Sequence, residues 1–154
     1  MRIINLLVPL LFGLVGILSF APFSIKILIF ISYSYLIFII LSDTKDIFLK
    51  IFLWGIGHWG FGMSWIIVSV YYYGETTIAI SLFIYTLLIT ILTLVFTLPL
   101  LLLKPLLKFI NTKNNLIQVL FISSILIISE LSRYYFLNGV PWLIPGNIYL
   151  DTYV

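Results

Sequence analysis

"TIAISLFIYTLLITILTLVFTLPLLLL", residues 77–103, runs for 27 residues without a charged side chain. A helix rises about 1.5 Å per residue and the hydrocarbon core of a bilayer is about 30 Å thick, so about 20 such residues are enough to cross it. Four more apolar runs flank this one: Ile3 to Phe20, Ile25 to Leu41, Ile51 to Tyr72 and Leu116 to Phe136. The chain as a whole is 63% hydrophobic and 8% charged, with a mean hydropathy of +1.26, which excludes an ordinary water-soluble domain. The ten-residue alternation of an outer-membrane barrel is missing. The expected fold is therefore all-α: a polytopic transmembrane bundle of about five helices forming a single domain over residues 1–154. The first run is read as a retained helix rather than a signal peptide, because Pro22 follows Ala21 at the one plausible small-residue cleavage site.

The charges set the expected orientation. Eight Lys and Arg against five Asp and Glu give +3, but the basic residues are scattered between apolar runs and form no stripe that would suit nucleic acid. With the N-terminus in the cytoplasm, Arg2, Lys45, Lys50, Lys104, Lys108 and Lys113 all fall inside, while Lys26 and Arg133 fall outside, as the positive-inside rule demands. An odd number of crossings then puts Gly139 to Val154 on the outer side. Tyr71, Tyr72 and Tyr73 would sit at that outer interface as anchors. The sequence has no cysteine, which removes disulfides, thiolate metal sites and any cysteine nucleophile from these residues.

The polar residues inside the runs are few. In "WGIGHWGFGMSW", Trp54 to Trp65, the glycines 55, 57, 60 and 62 permit close helix packing, and His58, the one histidine, lies among them. A lone His cannot make a metal site, so a neutral hydrogen-bonded packing role is favoured over a proton relay. Thr86, Thr90, Thr93 and Thr97 fall on one helix face, where back-bonding to the preceding turn favours packing over a conduction path. Glu130 and Arg133 are an i, i+3 pair on the last helix, close enough to meet and so lower the cost of either near lipid. Gly139 and Pro141 then end the helix, and Trp142 has the ring that settles at headgroup depth.

The order of these features resembles the N-terminal membrane domain of the apolipoprotein N-acyltransferase family. The resemblance rests on "FAPF" at Phe20 to Phe23, "GFGMSWIIVS" at Gly60 to Ser69 with its Trp65 and the following Gly74, and "ELSR" then "GVPW" at Glu130 to Trp142, with Gly146 beyond. Val140 stands where the family usually has an aromatic residue, and "GNIY" from Gly146 where it tends to have Gly-Tyr-Ser-Gln. The resemblance implies a bacterial inner-membrane, multi-pass location. It also implies transfer of an acyl chain from a phospholipid to the N-terminal diacylglyceryl cysteine of a lipoprotein, through a thioester on a cysteine. In the family that cysteine, a glutamate base and a lysine belong to a periplasmic nitrilase-like domain, so this chain is expected to be inactive alone and to need a separate catalytic chain if it works at all. No catalytic, metal-binding or cofactor-binding residue is expected here. Trp65, Gly74, Glu130, Arg133, Gly139, Pro141, Trp142 and Gly146 are carried over as structural or lipid-entrance residues. A non-enzymatic lipid- or lipoprotein-binding module is the alternative, and a small channel or transporter subunit a further one.

Overall fold

The computed structural model describes residues 2–42, 45–110, 114–136 and 142–150. Among them the regular structure is entirely helical. In order these are α1 (Arg2–Ile17), α2 (Ile27–Leu41), α3 (Ile47–Gly55), a π-helical segment (Ile56–Gly60), α4 (Trp65–Tyr73), α5 (Ile78–Leu101), α6 (Leu103–Ile110), α7 (Asn115–Phe136) and a 3-10 helix (Pro145–Tyr149). Apolar chain surrounded by apolar medium must satisfy its backbone locally, and helices do so within one segment. Their ends carry local devices: Thr77 Oγ1 accepts from the Ile80 N–H at the start of α5, and the Ser42 N–H donates to Phe38 O at the end of α2.

About five helices were expected, and among the described residues the structure supports part of that number. Two stretches, Ile78–Ile110 and Asn115–Tyr135, are long and apolar enough to cross a membrane, and a third if a bent pair counts as one span. The bent pair is the expected third helix: Ile47–Gly60 and Trp65–Tyr73 meet at 54°. The π-helical segment and the turn at Met63–Ser64 break what reads in sequence as one continuous run. Helix α1 stops at Ile17 instead of Phe20, and at 16 and 15 residues α1 and α2 measure about 24 and 22 Å, short of the hydrocarbon thickness. Between them the Phe20–Phe23 turn contains a cis Ala21–Pro22 bond.

The core forms where α1, α3, the π-helical segment and α5 meet, around the fully buried Trp54, Trp59, Phe96 and Leu92. The surface is apolar too: Leu7, Phe38, Phe83 and Leu120 are all more than half exposed. Large side chains pointing outward all around a bundle are what a lipid-facing protein shows. At the end that holds Ser42, Lys104 Nζ donates to the Ser42 carbonyl at 3.1 Å, tying α2 to α6.

Candidate lipid-facing site around Arg133

Glu130 and Arg133 lie in the last two turns of α7 and do pair, Nη2 to Oε2. The pair reaches further than the helix end. Arg133 is 1% exposed; its Nη1 donates to the Trp142 carbonyl at 2.8 Å and its guanidinium lies 5.2 Å from the Trp59 ring centroid. A guanidinium taken out of water needs this kind of enclosure, with a carboxylate, a carbonyl and an aromatic face all supplied at once. Glu130 uses its other oxygen, Oε1, to accept from the Tyr33 hydroxyl at 2.6 Å. Tyr33 sits near the middle of α2, so one charged pair joins α7, α2, the π-helical segment and the chain beyond Trp142.

That chain packs back against the bundle. Leu143 packs over Gly62, Tyr149 reaches Lys26, and Pro145 and Gly146 lie opposite Tyr33. Leu143 takes a left-handed backbone, φ 61°, which turns the chain toward the bundle. Trp142 is half exposed and meets Trp65 edge to face at 5.5 Å. Two grooves open beside Pro145–Gly146. One, of about 350 Å³, is walled by Leu126, Ile127, Leu131 and Ile144 with Glu130 and Tyr33 at its base; the other, of about 490 Å³, runs along α2.

Of the eight residues singled out from sequence, Trp65, Glu130, Arg133, Trp142 and Gly146 come together in this cluster. Gly74 stands apart: it caps α4, its N–H donating to Val70 O, which Thr76 Oγ1 also reaches. Gly139 and Pro141 lie outside the described residues. Sequence reasoning missed Tyr33 and Trp59. Nothing distinguishes Tyr33 from Tyr35 on the same helix until the fold brings it to Glu130.

His58 is fully buried, stacked on Trp54 at 5.0 Å with the planes 8° apart, and its Nδ1 lies 3.3 Å from Gly13 O. Trp54 Nε1 donates to Ser32 Oγ, which donates to Phe12 O. These contacts fit a packing role. The threonine face divides: Thr86 and Thr90 bond back to Leu82 O and Thr86 O, while Thr93 and Thr97 are buried against the core. Among the described residues no three metal-ligating side chains gather.

A helical bundle with an apolar exterior, an enclosed charged pair and helices long and apolar enough to cross a membrane has the character of a membrane-type domain. Residues 12–154 match the family described as "Apolipoprotein N-acyltransferase N-terminal domain", and the chain belongs to that family. It is 28% identical over 148 residues to the apolipoprotein N-acyltransferase of Haemophilus influenzae, covering 95% of this chain and 27% of that protein. The proteins of the same name from Haemophilus ducreyi and Pasteurella multocida are 28% and 25% identical over 91% and 98% of the chain, which covers 26% and 28% of them. The chain thus spans about a quarter of the length of the curated relatives it matches.

Proposed function

We propose that this chain is the membrane platform of an apolipoprotein N-acyltransferase. In this reading it lies in a bacterial inner membrane, with its N-terminus and most Lys residues in the cytoplasm and the Trp142–Tyr149 segment toward the periplasm, and residues 1–154 act as one transmembrane domain. The observation that carries the reading is the family match over residues 12–154. The site supports it: the Arg133 cluster holds an aromatic, groove-bearing surface where a lipid acyl donor and a lipidated protein can be presented to a catalytic group. Trp65 and Trp142 shape the mouth of that surface, Glu130 and Arg133 fix it, and Gly146 keeps the grooves open; Gly74, Gly139 and Pro141 serve as turn residues. The acyl-carrying thiol comes from outside these residues, since none of them is cysteine. A thiolate attacks the phospholipid ester, the lyso-lipid leaves, and the thioester then passes its acyl group to the lipoprotein amine.

The test is acyl transfer in proteoliposomes containing a phospholipid and a diacylglyceryl lipopeptide. The chain by itself should give no transfer, and addition of a chain carrying a catalytic nitrilase-like domain should give it. Transfer by the chain alone, or none after every such addition, contradicts the proposal.

A further inference from the structure

Ile47–Gly60 and Trp65–Tyr73 meet at 54°, and the polar groups at the joint are paired across helices as well as along one. In an unbroken α-helix the Ser64 N–H would donate to Gly60 O. Here it donates to Phe61 O at 3.3 Å, and Gly60 O accepts from the Tyr85 hydroxyl of α5 at 2.5 Å. A buried carbonyl left without a donor is costly, so Tyr85 supplies from outside what the broken helix withholds. Room to rearrange lies alongside. A groove of about 310 Å³ is lined by Gly57, Gly60 and Ser64, by Leu10 and Leu14 of α1, and by Tyr85. A Cβ added to Gly60 would meet nothing closer than the Tyr85 oxygen, at 3.5 Å. Beyond the joint α4 is lightly held: of its nine residues only Ile66 is buried, while Trp65, Val68, Tyr72 and Tyr73 are 47, 55, 69 and 88% exposed. An element with so few buried contacts moves at small cost.

We propose that this joint is a two-state hinge, latched in the bent state by Tyr85. In the straight state the Ser64 N–H turns to Gly60 O, Phe61 O takes the Trp65 N–H in the same helical pattern, and the Tyr85 hydroxyl is released into the groove. Two hydrogen bonds are exchanged for two, so the states lie close enough in free energy for both to be populated. Straight, the pair is one helix of about 27 residues and about 40 Å; bent, α4 rises about 8 Å instead of about 13 Å along the axis of the first half. Trp65, the first residue of α4, meets Trp142 edge to face at 5.5 Å, and rotation of α4 breaks that contact. The hinge thus governs the aromatic pair beside the Arg133 cluster. It rests on the membrane-platform reading for the bilayer and takes nothing from acyl transfer.

The test is double electron–electron resonance on the full chain in lipid bilayers, with nitroxide labels at Tyr72→Cys on α4 and Leu98→Cys on α5, 69 and 57% exposed. Tyr72 lies about 12 Å along α4 from the joint, so undoing a 54° bend carries it about 11 Å. The parent should show a dominant bent population and a minor second one. Tyr85→Phe keeps the ring and deletes the hydroxyl, and should raise the ratio of second to bent population about fivefold, the worth of one hydrogen bond. Ser64→Pro removes the N–H that the straight state needs, while the φ of −59° at Ser64 already suits proline. Added to Tyr85→Phe, it should return the distribution to the bent population. Dierucoyl in place of dimyristoleoyl phosphatidylcholine makes a thicker bilayer that favours the longer span, so it should enlarge the second population with no further substitution. That comparison decides the point if Ser64→Pro loses helical content. An unchanged distribution in Tyr85→Phe would overturn the hinge, as would a second population that persists in folded Ser64→Pro or ignores bilayer thickness. Both populations present with no transfer in the proteoliposome assay would instead count against the acyltransferase reading and leave the hinge standing.

Discussion

The seam between α1 and the π-helical segment and the surroundings of the buried Arg133 are both packed within the bundle, yet they are held by opposite means. At the seam, Gly13 and Gly57 face each other's helices so closely that an added Cβ would strike the Trp54 carbonyl from one side and the Leu10 carbonyl from the other. Van der Waals contact and ring stacking do the holding, and little polar is at stake. Around Arg133 the contacts are ionic and hydrogen-bonded, and the neighbouring space is left as grooves. The seam packs α1 against α3 and the π-helical segment, and the cluster holds the Trp142–Tyr149 segment against the bundle.

The contrast predicts unequal sensitivities. The largest effect should follow Glu130→Ala, which strands a buried guanidinium and costs about 3–5 kcal/mol in reversible unfolding of the detergent-solubilised chain. The double change Glu130→Gln with Arg133→Met should recover much of that loss, because an uncharged pair of similar size leaves no buried charge without its counter-charge. If the double variant is no better than the single one, the cluster is held by packing and the comparison fails. Gly57→Val comes next, at about 3 kcal/mol, since the clash is with backbone that cannot rotate away. Tyr33→Phe removes one hydrogen bond to a charged acceptor and should cost about 1.5 kcal/mol by the same measurement. Thr86→Val, at an exposed hydroxyl already bonded to its own helix, should stay within about 0.5 kcal/mol.

The two regions also differed in how plainly they could be read. Apolar runs marked most of the helical chain, because a stretch without charges has few other ways to satisfy its backbone, but the short helix α6 falls in a stretch that reads as a connection. The Glu130–Arg133 pairing followed from i, i+3 spacing. The 54° bend did not, since hydropathy is the same in a straight helix and a broken one; the glycines at 55, 57 and 60 marked close packing but not the π-helical turn they permit. Gly13 and Gly16 carry the same small-residue signal in α1 as Gly57 does in its partner, and they are where that signal was overlooked. Tyr33 was beyond reach, because its partner is 97 residues away and only the fold brings them together. The fold-back of residues 142–150 was hidden for a similar reason: an interfacial Trp and a Pro-Gly turn suit a surface loop equally well.

The central claim is that the Glu130–Arg133 pair clamps the Trp142–Tyr149 segment against α2. A sequence without cysteine allows two nitroxide labels to be placed without background, at Phe38→Cys and Asn147→Cys, both exposed positions on the two sides of the clamp. In lipid bilayers the label-to-label distance should form one narrow population, and adding Glu130→Gln should broaden it and shift it outward. A narrow, unshifted distribution in the Glu130→Gln chain would contradict the clamp.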